Sequence, residues 1–138
     1  MISITASTAG SLRVEATDGV NTAVMDESVD GAAVEALSPK QMLAASLAGC
    51  TAMTLKMYSA RKDWPLEDVK VTVEIEPAPR TEKGAPNTIV QRVELIGDLD
   101  DAQRERLRVI AGKCPVHKIL EGPNVFEEHL VEPAAAGE

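Results

Sequence analysis

The longest apolar stretch of the chain predicts a long helix over residues 40–61. Between residues 41 and 57, apolar side chains fall on nearly every face of a helical projection, and no proline interrupts them. Ser38-Pro39 precedes the stretch, and serine is a favoured N-cap while proline is favoured at the first helical position. A helix that is apolar all round is buried on several sides. We therefore expect a long, buried central helix, partly covered by a partner subunit.

Two alternating segments that follow this helix predict a β-hairpin. Residues 69–75 place Val and Ile at every second position, and residues 89–99 repeat the pattern. Alternation with a period of two is typical of half-buried strands. The connector at residues 77–87 is rich in proline, glycine and charge, so we expect the two strands to form a long antiparallel pair.

The N-terminal part of the chain predicts short antiparallel strands. Polar and apolar residues alternate over residues 2–7, 12–16 and 20–25, and Asp18-Gly19 is a strong hairpin-turn signal. A looser segment over residues 28–37 contains a second turn signal at Asp30-Gly31.

The C-terminal third predicts a second helix, a short third helix and a last strand. Asp100-Asp101 suits a helix N-terminus, and an apolar stripe leads from there to Cys114. Pro115 disfavours helical geometry at Cys114 and can begin a helix over residues 115–120. We expect a final strand over residues 124–131 and a frayed tail over residues 133–138. The order of elements defines an α+β fold, which we expect to form a single domain over residues 1–138.

Composition narrows the classes of function. The net charge is -8, from 14 basic and 22 acidic residues, which argues against nucleic acid because phosphate binding needs clustered cations. The chain has no run of 18 apolar residues and no recognisable signal peptide. We therefore expect no membrane partner and a cytoplasmic location, where thiols stay reduced.

Cys50 in the apolar helix and Cys114 before Pro115 are the candidate reactive residues. Either cysteine can also be a small core side chain. Cys114 would lie at a helix N-terminus, which favours the thiolate. The two cysteines are 64 residues apart, so only the fold can bring them together.

A metal site is the alternative interpretation of these residues. Its candidate ligands are Cys50, Cys114, His117 and His129, but only Cys114 and His117 form a close pair. Zinc usually takes four ligands, often in close pairs. We therefore expect no metal and expect His129 on the surface. His117 is either a partly exposed helix residue or a neighbour that tunes Cys114. A glycine-rich phosphate loop is also absent from the sequence.

Two segments resemble the cysteine motifs of the OsmC/Ohr-like family. Residues 37–54, Leu-Ser-Pro-Lys-Gln-Met-Leu-Ala-Ala-Ser-Leu-Ala-Gly-Cys-Thr-Ala-Met-Thr, resemble the first motif: a proline-led helix start, leucine and small residues, then cysteine. The Gly-Cys-Thr version is most similar to the OsmC-like subgroup. Residues 113–118, Lys-Cys-Pro-Val-His-Lys, resemble the second motif. The predicted order of elements fits the family along nearly the whole chain.

This resemblance implies an intertwined homodimer of α+β subunits with two sites at the interface. It also implies an antioxidant, stress-response peroxidase that reduces organic hydroperoxides, with Cys50 as the peroxidatic and Cys114 as the resolving cysteine. The disulfide formed between them would be reset by an external dithiol reductant. No metal or bound organic cofactor is implied.

The sequence departs from the family pattern at one position. Typical hydroperoxide reductases of the family have glutamate after the motif proline, paired with an arginine from the N-terminal region; here the position is Lys40, and Arg13 is the only arginine before the helix. We take Lys40, Arg13 and His117 as candidate neighbours of the site. Lys40 precedes Cys50 by ten residues, about 15 Å along an ideal helix. The departure motivates an alternative function, a non-peroxidase OsmC-like protein that binds a small apolar or thiol-reactive ligand; a purely structural or interaction role is a third.

Overall fold

A computed structural model describes residues 1–8, 12–27 and 34–134. In chain order its elements are β1 (Thr5–Ser7), β2 (Val14–Thr17), β3 (Thr22–Met25), α1 (Pro39–Lys62), β4 (Leu66–Glu76), β5 (Thr88–Gly97), α2 (Asp101–Ala111) and α3 (Pro115–Glu121). This arrangement confirms the α+β class.

The N-terminal strands form an antiparallel sheet in the order β1-β2-β3. The turn between β2 and β3 is the predicted one: Asp18 Oδ1 accepts the N–H groups of Val20 and Asn21 at 2.8 and 2.7 Å, and Gly19 has a φ of 101°. These bonds, led by Asn21, hold the pKa of the Asp18 carboxyl below its usual value. The turn predicted at Asp30-Gly31 lies outside the described residues.

Residues on either side of helix α1 cap its two ends. Ser38 Oγ accepts the Gln41 N–H at 3.2 Å, and Gln41 Oε1 accepts the Ser38 N–H at 2.9 Å, which is a capping box. Asp63 takes a left-handed conformation after the last turn. The predicted helix over residues 40–61 is confirmed.

The single chain buries one face of α1. Within the chain one stripe is buried, formed by Leu47, Thr51, Leu55 and Ser59, and it faces the β4–β5 hairpin and the two later helices. Met53 and Met57 on another face are 69% and 64% exposed. Within the single chain the hairpin and the later helices cover only one face of α1, and the expected cover of the other faces by a partner subunit stays a prediction.

The predicted hairpin is confirmed as β4 and β5. The strands are antiparallel, with Val71 opposite Val93 and Val73 opposite Gln91. Leu66 at the start of β4 pairs with Gly97 at the end of β5. Gly97 has a φ of 150°, and because it lacks a Cβ the Pro65 carbonyl oxygen can approach it. Under α1 and α2 lies a core of leucines with Ile110 and Ala111: Leu55, Leu66, Leu99 and Leu107.

Helix α2 begins with a second capping box, in which Asp100 and Gln103 exchange hydrogen bonds at 2.7 and 2.9 Å. Its Arg104 guanidinium donates to the carbonyls of Leu95, Gly97 and Leu99 at 3.0, 3.0 and 3.3 Å. The guanidinium therefore ties α2 to the end of β5. Helix α2 ends at Ala111, three residues before Cys114.

The predicted final strand over residues 124–131 was wrong. The segment has no regular secondary structure, and its apolar side chains are exposed, including Val125 at 88% and Phe126 at 81%. A strand needs a neighbour for its backbone hydrogen bonds, and no described strand of the chain pairs with this segment. Of the predicted tail, residues 135–138 lie outside the described residues. In the part of the chain that the structure describes, no helix is both long and apolar enough to cross a membrane.

Candidate functional site

Cys114 lies at the junction between α2 and α3. Its side chain is fully buried, and its backbone is extended, with φ -68° and ψ 151°, as a residue before proline prefers. The Sγ atom accepts the N–H of His117 at 3.3 Å. Cys114 is thus the N-cap of α3, with sulfur in the place that a serine or aspartate oxygen usually takes.

Two polar side chains from other elements meet at Cys114. Thr51 Oγ1 on α1 lies 3.6 Å from Cys114 Sγ and 2.7 Å from Gln91 Oε1 on β5. Gln91 Nε2 donates to the Ala111 carbonyl at 3.5 Å. Because Thr51 is also fully buried, the sulfur has a hydrogen-bonded environment that joins α1, β5, α2 and α3.

Cys50, the residue before Thr51, is half-buried and opens onto a different surface. It lines a groove of about 540 Å³ whose wall is largely apolar. The groove is formed by Ala45, Ser46, Gly49, Cys50, Met53, Thr54, Met57 and Pro115. None of these described lining residues is charged.

The fold brings the two cysteine motifs together. Pro115, which follows Cys114, lines the groove of Cys50, and Thr51, which follows Cys50, contacts Cys114. Both cysteines are free thiols. One thiol therefore faces an open apolar groove, while the other is held in the interior behind it.

His117 contacts Cys114 through its backbone rather than through its ring. Its Nδ1 is buried without a hydrogen bond, although Glu121 Oε1 lies 3.3 Å away. His117 lines a second groove of about 300 Å³, together with Leu47, Asn87, Ile89, Gln91, Leu120 and Glu121. The contact of His117 with Cys114 is a backbone N–H, and a tuning role for its side chain stays a prediction.

Lys40 and Arg13 lie outside the lining of the Cys50 groove in the single chain. Lys40 is exposed in the first turn of α1, and Arg13 is exposed just before β2. Neither lines the groove of Cys50. Of the four candidate metal ligands, His129 is exposed and lies 3.3 Å from Glu127. Within residues 1–8, 12–27 and 34–134, no group of three or more His, Cys, Asp or Glu side chains could hold a metal ion.

Thr51 and Gln91 are site residues that the sequence analysis missed. Gln91 had a visible signal, because it interrupts the apolar face formed by Ile89, Val93 and Leu95. A polar side chain at such a position needs a buried partner. Thr51 had no signal of its own, since one hydroxyl in an apolar helix can also bond to its own backbone.

These features define a small α+β protein with two neighbouring thiols, one at a groove and one buried at a helix N-cap. The OsmC-like protein family model matches residues 30–129, and the chain belongs to this family.

Solved structures share the fold. The OsmC-like protein from Mycoplasma pneumoniae is 18% identical, with 88% of each chain covered and a TM-score of 0.76. An organic hydroperoxide resistance protein OsmC from Legionella pneumophila is 25% identical, with 88% of this chain and 90% of that chain covered and a TM-score of 0.63. The organic hydroperoxide resistance protein OhrB of Bacillus subtilis is 22% identical, with 88% and 91% covered and a TM-score of 0.61. No curated protein sequence matches the chain.

Proposed function

We propose that this protein is a thiol-dependent peroxidase that reduces organic hydroperoxides through Cys50 and Cys114. The observation that supports the proposal most directly is the placement of Cys50 in an apolar groove whose wall includes the residue after Cys114. Membership of the OsmC-like family agrees with it. So does the 25% identical Legionella pneumophila protein, which is described as an organic hydroperoxide resistance protein.

In the proposed cycle, the Cys50 thiolate attacks the O–O bond of the hydroperoxide. The bond breaks, the alkoxide leaves as an alcohol after taking a proton, and Cys50 becomes a sulfenic acid. Cys114 then attacks the Cys50 sulfur, so that a disulfide forms and hydroxide leaves as water. An external dithiol reduces the disulfide by exchange. The cycle uses no metal and no bound organic cofactor.

The groove favours an organic substrate over hydrogen peroxide. Its wall presents methyl groups and the thioethers of Met53 and Met57, which can bury an alkyl or aryl group. Apolar burial contributes about 25 cal/mol per Å², and hydrogen peroxide has no apolar surface to contribute. The groove volume of about 540 Å³ is in the range of small-molecule sites.

A homodimer in the reducing cytoplasm completes the proposal. Met53 and Met57 are exposed in the single chain and line the groove of Cys50. A second subunit placed on this face would bury them and narrow the groove.

The test is consumption of cumene hydroperoxide by the purified protein with dithiothreitol as the reductant. We expect turnover by the wild type, none by Cys50→Ser, and reduced turnover by Cys114→Ser, which lacks the resolving thiol. Hydrogen peroxide should be consumed more slowly than cumene hydroperoxide. Unchanged hydroperoxide with both thiols still free would end the proposal.

A second candidate function is the binding of a small apolar or thiol-reactive ligand without turnover. It is favoured by the absence of charge among the described lining residues of the groove and by the exposed, distant position of Lys40. The same assay separates the two functions. Loss of robust peroxidase activity in Cys50→Ser would eliminate the second candidate.

A further inference from the structure

Thr51 is a single buried hydroxyl placed between two different acceptors. Its Oγ1 lies 2.7 Å from Gln91 Oε1 and 3.6 Å from Cys114 Sγ. Thr51 and Cys114 are both 0% exposed. The hydroxyl therefore has these two side chains, and not bulk water, as its partners.

The positions of the protons follow from the partners. Gln91 Nε2 lies 3.5 Å from the Ala111 carbonyl, which can only accept, so Oε1 is the amide atom that faces Thr51. Since Oε1 is also only an acceptor, the one proton of the hydroxyl points at Gln91. Thr51 Oγ1 then offers a lone pair to Cys114, whose S–H can donate to it.

Loss of the thiol proton reverses this arrangement. A thiolate is only an acceptor, so the Thr51 hydroxyl must rotate to donate to it and release Gln91. The thiolate then has two donors, the Thr51 O–H and the His117 N–H at 3.3 Å. Hydrogen bonds to the charged form of a group favour that form. Gln91 thus competes with the Cys114 thiolate for one proton.

We propose that Thr51 and Gln91 control the state of Cys114: Gln91 stabilises the neutral thiol, and Thr51 stabilises the thiolate. The proposal rests on the proposed function, in which Cys114 forms the S–S bond while the S–O bond of the Cys50 sulfenic acid breaks and hydroxide leaves as water. A neutral Cys114 does not react directly with hydroperoxide, because the thiolate is the nucleophile. Gln91 acts through Thr51 and is a positioning residue.

Other titratable or charged side chains are present on the elements that surround Cys114. They are Cys50 on α1, Arg92 and Glu94 on β5, Glu105 and Arg108 on α2, Lys113 in the turn, and His117, Lys118 and Glu121 on α3. Every variant below replaces Cys50 and keeps all the other side chains of this list. Differences among the variants therefore report Thr51 and Gln91.

The experiment titrates Cys114 directly. In a Cys50→Ser background Cys114 is the sole cysteine, and its thiolate is followed by ultraviolet absorbance against pH, with Cys50→Ser/Cys114→Ser as the blank. Thr51→Val, Gln91→Leu and the combination of the two are compared. Thr51→Ser is the conservative rescue, and Thr72→Val, at an exposed position of β4, is the matched control. Far-ultraviolet circular dichroism establishes that each variant is folded.

The two substitutions should act in opposite directions. Thr51→Val removes a donor to the thiolate and should lower the thiolate fraction at neutral pH about tenfold. Gln91→Leu removes the competing acceptor and should raise that fraction about threefold. The combined variant should match Thr51→Val, since Gln91 acts only through Thr51. Thr51→Ser and Thr72→Val should titrate like the background.

Shifts in the same direction would overturn the proposal, because general loosening of the site moves both variants alike. Independent, additive shifts would overturn it too. If Thr51→Val does not fold, a lower thiolate fraction in Gln91→Leu contradicts the proposal by itself. The titration uses no hydroperoxide, so an inactive wild type would end the proposed function and leave this result standing. In an active protein that keeps Cys50, dimedone should trap more Cys50 sulfenic acid in Thr51→Val and less in Gln91→Leu.

Discussion

Arg104 offers a quantitative test of how the site is held in place. Its guanidinium donates to three backbone carbonyls around the end of β5, those of Leu95, Gly97 and Leu99. Each hydrogen bond from a charged group contributes about 1.5–3 kcal/mol when it is well shielded. Arg104 is only partly buried. When its side chain is removed, water can therefore donate to some of the three carbonyls in its place. We therefore expect Arg104→Met to lower the free energy of unfolding by about 2–4 kcal/mol, since methionine keeps much of the apolar stem but none of the donors.

The matched control is Arg108→Met, one turn later on the same helix. Arg108 pairs with Glu105 at 2.6 Å. Its hydrogen bonds to described residues go to Glu105 and not to the backbone of β5. This pair is exposed, and exposed ion pairs contribute about 0–1 kcal/mol. Arg104→Lys should lie between the two variants, because a compact ammonium cannot span three carbonyls.

The assay is equilibrium unfolding in urea, followed by circular dichroism at one fixed protein concentration so that any association contributes equally. The expected result is a lower midpoint for Arg104→Met with an unchanged slope. Losses that agree within about 0.5 kcal/mol for Arg104→Met and Arg108→Met would refute the reasoning. The three carbonyl bonds would then have no role in docking α2.

Two further predictions concern the backbone and a surface cluster. Gly97→Ala should lower the free energy of unfolding by more than about 3 kcal/mol, because the φ of 150° is strained for alanine and its Cβ would overlap the Pro65 carbonyl oxygen. Thermal unfolding measures this loss. The control is Gly49→Ala, whose new Cβ meets nothing within 4 Å, and an equal loss in that variant would contradict the prediction. Arg106 Nε donates to Tyr58 Oη at 3.0 Å and, as the main cause, holds the pKa of Tyr58 below its usual value. Arg106→Leu removes the donor that favours the charged phenolate, so ultraviolet titration of this sole tyrosine should show a higher pKa, and an unchanged one would be the contrary result.

The elements of this fold were predictable where the local sequence determines the backbone. Ser38 with Gln41 and Asp100 with Gln103 form capping boxes, and Asp18-Gly19 forms its turn, because each device lies within a few residues. The alternation along β4 and β5 predicted the two strands, and the connector between them favoured their antiparallel pairing. Only the order of elements, and not the contact between α1 and α3, followed from these signals.

The polar contacts of the site were not predictable, because they join residues far apart in the chain. Thr51 and Gln91 are 40 residues apart, and Thr51 and Cys114 are 63 apart. Gln91 had the signal of interrupting an apolar strand face, but nothing near it in the sequence identified Thr51 as its partner. Lys40 is the opposite case. Its position in the family motif made it a candidate neighbour of Cys50, whereas about three turns of helix separate the two residues.

Two apolar parts of the chain are left uncovered by the described residues. Met53 on α1 is 69% exposed, and Phe126, in the segment that was expected to form the final strand, is 81% exposed. Apolar residues patterned for burial but left exposed over a contiguous face are typical of a subunit interface. The proposed homodimer would cover such a face with a second copy of the chain. Because Met53 also lines the groove of Cys50, the same contact that buries α1 would make the substrate groove a product of two subunits.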